Sequence, residues 1–120
     1  MCRIRRQEAL ANTLPGVFVP QCRADGSFRP KQCYQLIGVC WCVHKDGTEQ
    51  GGTRKGINEP LDCTDICSMP EFRGQCPDNI QKWFFNTEAG VCEEFVYSGC
   101  QGNLNQFDSK ESCEQRCFVP

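Results

Sequence analysis

Residues 63–67 read CTDIC, and the three residues between these two cysteines decide how the chain is divided. Working outward, the cysteines fall into two sets of six: Cys2, Cys22, Cys33, Cys40, Cys42 and Cys63, then Cys67, Cys76, Cys92, Cys100, Cys113 and Cys117. Each set is even, as full pairing requires. The charges split at the same place. Residues 1–63 carry nine Lys/Arg against six Asp/Glu, whereas residues 64–120 carry four against nine. The reading is a domain over residues 1–63, a linker over 64–66, and a second domain over 67–120. Domains of about 60 residues bury little surface and usually need covalent staples. Each disulfide adds ~2–4 kcal/mol, largely by restricting the unfolded chain.

Twelve cysteines in 120 residues mark a disulfide scaffold of an oxidising compartment, so the expected location is secreted or extracellular. No C-x-x-C occurs, the closest spacing being Cys40-x-Cys42, and His44 is the sole histidine. The cysteines therefore read as bridges, not as zinc ligands or redox groups. No metal or other cofactor is expected. No run approaches the ~20 apolar residues of a membrane span. The opening MCRIRR lacks the apolar run of a signal peptide. Met1 thus reads as an added start or as the edge of a piece cut from a longer secreted chain. No N-x-S/T acceptor for N-glycan is present. The net charge of −2 argues against a nucleic-acid partner, and Arg3, Arg5 and Arg6 read as a solvated helix face.

In the first half, RIRRQEALA (3–11) is rich in helix formers, with Asn12 able to take a left-handed stop and Pro15 beyond it. Asp25-Gly26 and Asp46-Gly47 signal turns. GSFRPKQCY and GVCWCVHK read as short antiparallel strands. Alternation along Cys40-Trp41-Cys42 sends both sulfurs to one face, so they bond to different partners.

FVPQC, DGSF, QCY, the run Gly38-Val39-Cys40-Trp41-Cys42-Val43, and Gly52-Thr53 ahead of Pro60 and Cys63 resemble a thyroglobulin type-1 domain over residues 2–63. The resemblance implies pairing in order: Cys2–Cys22, Cys33–Cys40 and Cys42–Cys63. Some members of that family block papain-like cysteine proteases by wedging three loops into the active-site cleft. The matching positions are Ala11 to Gly16, Tyr34 to Gly38 and Gly52 to Arg54. Leu14, Pro15, Tyr34, Leu36, Ile37, Thr53 and Arg54 are the implied protease contacts. Leu36 and Ile37 would form an apolar tip on a closed loop, whose preorganisation lowers the ordering cost of binding. The alternative is that they cover a small core.

In the second half, IQKWFFN and VCEEFVYSGC read as a hairpin turned by Thr87-Glu88-Ala89-Gly90. SKESCEQRC reads as a short helix capped by Ser109, with Glu111 favourable in its first turn. Cys113 and Cys117 share one helix face, so both could anchor the helix to the hairpin. The cysteine spacing, Trp83-Phe84-Phe85-Asn86, Phe95-Val96-Tyr97, Gly99-Cys100, Gly102-Asn103, Asn105 and Phe107 resemble a Kunitz domain, the fold of pancreatic trypsin inhibitor. That resemblance covers nearly all of residues 67–117. It implies Cys67–Cys117, Cys76–Cys100 and Cys92–Cys113, and a reactive-site loop at Gln75, Cys76, Pro77, Asp78 and Asn79.

Members of that family place the residue after the second cysteine in a serine protease's specificity pocket. Here it is Pro77, which has no N–H to donate and a fixed φ. Asp78 would bring a carboxylate to the carbonyl where an oxyanion develops. Ser98 stands where the family commonly has glycine. Trypsin inhibition is therefore not expected.

The whole chain is thus expected to be small, disulfide-rich and α+β: two domains, each with a short antiparallel hairpin, a short helix and three disulfides. Nothing in it points to an enzyme. The partner implied is a protein, first a papain-like cysteine protease. The alternatives are a non-inhibitory extracellular binding or matrix module, and Kunitz-mediated inhibition of a serine protease of unusual specificity.

Overall fold

The structure, a computed structural model, describes residues 1–12 and 16–117. The chain forms two compact units. The first comprises Met1–Glu49 with Arg54–Cys63, and the second Gln50–Thr53 with Thr64–Pro120. The four residues Gln50–Thr53, read from sequence as part of the first domain, thus group with the second unit.

All twelve cysteines are paired, in the order the two resemblances imply. Within the first unit, helix α1 (Cys2–Ala11) is pinned by Cys2–Cys22. It stops at Ala11 as expected, but Asn12 is extended (φ −78°, ψ 127°), not left-handed. Its N–H still finds Ala9 O at 3.2 Å, so a tight last turn closes the helix without the left-handed residue. Strands β1 (Lys31–Tyr34) and β2 (Val39–Cys42) pair antiparallel, with Cys33 opposite Cys40. The expected hairpin gains a third strand, β3 (Lys55–Gly56), on the far edge of β2. Two residues carry no period-2 pattern to read.

The core of this unit holds Cys2, Phe28, Trp41 and Val43, with Phe18 and Tyr34 packed against it. Phe18 lies 5.1 Å from the Trp41 ring and 5.4 Å from Tyr34, centroid to centroid. Two glutamines hold the long loop to β1. The fully buried Gln32 accepts from Gln21 N–H and donates to Gln21 O and Arg29 O, each at 2.8 Å. Gln21 in turn accepts from Cys33 N–H at 2.8 Å. The pair supplies the backbone bonds that a strand would otherwise provide. The two Asp-Gly signals form matching turns, with Gly26 and Gly47 at φ +90° and +89°. Asp25 Oδ1 accepts the N–H and hydroxyl of Ser27, and Asp46 Oδ1 those of Thr48. These bonds hold both carboxyls below the usual carboxylate range, the hydroxyl contributing most.

The second unit opens with a 3-10 turn at Ile66–Ser68. Strands β4 (Ile80–Asn86) and β5 (Val91–Tyr97) pair from Ile80↔Tyr97 to Asn86↔Val91 around the expected turn. Helix α2 (Lys110–Cys117) begins after Ser109, whose hydroxyl accepts Ser112 N–H at 3.1 Å. Cys113 ties α2 to β5 through Cys92, but Cys117 ties it to the 3-10 turn through Cys67. The shared helix face is therefore anchored at two places, only one of them the hairpin. The aromatic face packs Phe84 edge-on against Phe95 at 5.6 Å. Asn105, buried, donates to Met69 O and Phe85 O at 2.7 and 3.1 Å and accepts Phe85 N–H at 2.9 Å. One amide thus joins the amino-terminal segment to β4.

Candidate inhibitory loops

In the first unit, the turn between β1 and β2 is closed at its base by Cys33–Cys40. Gly38, at φ +66°, lets the chain reverse, and Gly38 N–H returns to Gln35 O at 3.1 Å. Leu36 and Ile37 project from this turn and are 70% and 54% exposed. They do not cover the core. Tyr34, half-buried, is held by its ring contact with Phe18 and lies behind the tip. A methyl built on Gly16 would meet Leu36 Cδ2 at 3.0 Å, so the end of the first loop reaches the tip of the second. Leu14 and Pro15 lie outside the described residues. Ile57, not singled out from sequence, donates its N–H to Gly38 O at 2.9 Å and adds a third exposed aliphatic residue beside the turn.

The third expected loop is split. Arg54 stays in the first unit, exposed, with Nε and a terminal nitrogen on the two oxygens of Glu49 at 2.9 Å. Its guanidinium lies 5.6 Å over the Trp41 ring, and the Glu49 bond holds its pKa above the ordinary arginine value. Thr53 groups with the second unit and is only 3% exposed, its hydroxyl donating to Gln50 O at 2.7 Å. A side chain so buried presents no surface to a protease in this arrangement.

In the second unit, Cys76–Cys100 secures the loop Gln75–Asn79, in which Gln75, Pro77, Asp78 and Asn79 are exposed. Three contacts hold its backbone. Gln75 N–H donates to Gln101 Oε1 at 3.1 Å. Asp78 N–H donates to Ser98 O at 3.0 Å. Arg73 donates to Asn79 Oδ1 at 2.7 Å and to Asp78 O at 3.4 Å. The Asp78 carboxylate rests against Gly99, where any side chain would crowd it. Ser98 is accommodated: it is fully buried, and its hydroxyl donates to Cys100 O at 3.3 Å. The frame of the loop is therefore intact around an exposed Pro77-Asp78 pair that offers no long side chain. Among the described residues no cluster of His, Cys, Asp and Glu could hold a metal ion, and no helix is long and apolar enough to cross a membrane.

Comparison with known proteins gives a family for each half. The thyroglobulin type-1 repeat matches residues 2–63, and the Kunitz/bovine pancreatic trypsin inhibitor domain matches residues 66–118. Among curated relatives, Kunitz-type U19-barytoxin-Tl1a of Trittame loki is 46% identical over 72 residues, covering 60% of this chain and 39% of its own. Carboxypeptidase inhibitor SmCI of Sabellastarte magnifica is 50% identical over 52 residues, covering 43% of this chain and 32% of its own. Kunitz-type serine protease inhibitor 6 of Rhipicephalus microplus is 35% identical over 75 residues, covering 62% and 26%. The chain thus spans at most about two-fifths of the length of these relatives. A solved complex of SmCI with human carboxypeptidase A4 is 46% identical with a TM-score of 0.44, covering 46% of this chain and 34% of that one. The chain belongs to the thyroglobulin type-1 repeat family over residues 2–63 and carries a Kunitz domain over residues 66–118.

Proposed function

We propose that the protein is a secreted protease inhibitor whose active part is the thyroglobulin type-1 domain, directed at papain-like cysteine proteases. The observation that carries this reading is the exposed Leu36–Ile37 pair at the tip of a disulfide-closed turn, with Gly16 of the first loop beside it. An apolar tip held rigid by a bridge loses little freedom on entering a cleft, so more of its burial appears as affinity. Leu14 and Pro15 are kept as protease contacts on the family resemblance alone. Arg54 would contribute its apolar stem, since its charge is already engaged by Glu49. Thr53 takes no part in this version of the wedge. The named inhibitors among the relatives support the general class of function.

The Kunitz domain is proposed to be a poor trypsin inhibitor. Its loop is framed as a binding loop but ends in Pro77-Asp78, which supplies neither a cation for an acidic pocket nor a backbone N–H at the bait position. The same observation favours the second reading for this half, a protein-binding surface without inhibition. Titrating cathepsin L with the intact, oxidised protein, with trypsin in parallel, tests both. Stoichiometric loss of cathepsin L activity alone is expected. Full activity of both enzymes would refute the inhibitor reading and leave extracellular binding.

A further inference from the structure

Gln101 is the one non-glycine residue with a left-handed backbone among the described residues, at φ +66°. That region disfavours residues with a Cβ, and such strain persists where surroundings over-determine it. Gln101 directly follows Cys100, which bonds Cys76, and its side-chain oxygen accepts the N–H of Gln75 on the other side of the same bridge. The strained residue therefore holds the entry to the Gln75–Asn79 loop.

The segment around Gln101 is itself fastened within the second unit by Gln50–Thr53. Gly51 N–H donates to Gly102 O at 3.2 Å, and Asn103 Nδ2 donates to Gly51 O at 2.7 Å. Gln50 Oε1 accepts Leu104 N–H at 3.0 Å. Any side chain at Gly51 would overlap Gln101 O and the Phe72 ring, so the approach is as close as a glycine permits. Three successive residues, Gly102 to Leu104, are thus bonded to a strap that ends in the fully packed Thr53.

We propose that Gln101 is the positioning residue of the Cys76 loop, and that the Gln50–Thr53 strap sets Gln101 in its left-handed conformation. The strap fixes the backbone and the amide reaches back to Gln75. The end of the loop that precedes Pro77 is thereby kept in one conformation ready for a partner. A residue that merely fills space would behave differently when replaced by glycine. Gln101→Gly relieves the backbone strain and removes an exposed side chain together with its amide contact to Gln75, so global stability and loop order should move apart.

The test is amide hydrogen exchange by NMR on the full, oxidised chain, with Tm recorded for each variant. In Gln101→Gly the Gln75 amide is expected to exchange at least about tenfold faster, with β4 and β5 amides unchanged and Tm equal or higher. Unchanged exchange at Gln75 would overturn the role of Gln101. A fall in Tm with faster exchange throughout β4 and β5 would also overturn it, by showing a general structural role. Gln50→Ala, which loosens the strap while leaving Gln101 intact, is expected to speed Gln75 exchange about threefold. No change there, with Gln101→Gly active, would overturn the strap's part in the proposal.

Discussion

Two loops invite comparison, the Leu36–Ile37 turn of the first unit and the Cys76 loop of the second. Both are secured by a disulfide, and both have backbones tied by hydrogen bonds that no tip side chain makes alone. They differ at the tip. One offers two exposed aliphatic side chains. The other offers a proline and an acid. Frame and tip therefore have different origins: the frame follows from bridges and buried amides, whereas tip residues such as Leu36 and Ile37 are exposed. A retained frame is consequently no evidence of a retained target, and each tip has to be argued from its own chemistry.

The sharpest way to break the comparison is to give the second loop a bait. Pro77→Arg with Asp78→Ala restores a cation and a backbone N–H and removes the opposing carboxylate. Trypsin inhibition should strengthen by about a thousandfold or more, taking ~1.4 kcal/mol per tenfold over several kcal/mol. A folded double variant that stays inert in a trypsin titration would show that Gln75–Asn79 is not a substrate-like loop. The reverse operation on the first loop, Leu36→Asp with Ile37→Asp, is expected to weaken cathepsin L inhibition about a hundredfold, because two charges would have to be desolvated in the cleft. Both residues are exposed, so Tm should move by little, which a thermal melt would confirm.

The frames can be sharpened in the same way. Each frame uses buried amides, among them Gln32 in the first unit and Asn105 in the second. Gln32→Ala and Asn105→Ala each leave several backbone groups without partners, and each should cost about 2–4 kcal/mol by denaturant unfolding. If the frames are independent of the tips, the two aspartate substitutions and the two alanine substitutions will add. The smallest effect expected is on pH dependence. The folded-state pKa values of Asp25 and Asp46 are depressed, so their stabilisation is full above the ordinary carboxylate value and is lost as pH falls through the folded values. An NMR titration of the carboxyl carbons should show both midpoints below the usual 3.8. Ser27→Ala and Thr48→Ala should raise them.

Much of the frame could be read from the sequence because cysteine spacing, Asp-Gly turns and the aromatic strand are local signals. The helix at Lys110–Cys117 was legible from Ser109, whose hydroxyl caps it as its position implies. What escaped was set by tertiary contacts. Asn12 needed no left-handed conformation because a tight last turn closed α1. Cys117 faces the 3-10 turn because its partner precedes the hairpin in the chain. The roles of Gln21 and Gln32 have no periodicity to betray them, although both precede a cysteine. At the loops, exposure of Leu36 and Ile37 was legible as one of two alternatives. Burial of Thr53 was not, because it depends on which unit Gln50–Thr53 joins, and neither composition nor spacing records that. The exposed Ile57 beside Gly38 was hidden for another reason: it follows a two-residue strand too short to show a pattern.

The two bridge patterns differ in what a single cut does to the chain. In the second unit Cys67–Cys117 encloses the other two bridges, spanning 50 residues. A peptide bond broken anywhere between its ends leaves both pieces joined by sulfur. In the first unit the bridges follow one another, so a nick between Cys22 and Cys33 is crossed by none of them. There, only non-covalent contacts, the bonds of Gln21 to Gln32 and Cys33 among them, and core packing would hold the pieces together. Among proteases, the second unit would survive its own cleavage as one molecule, whereas the first depends on that segment never being cut.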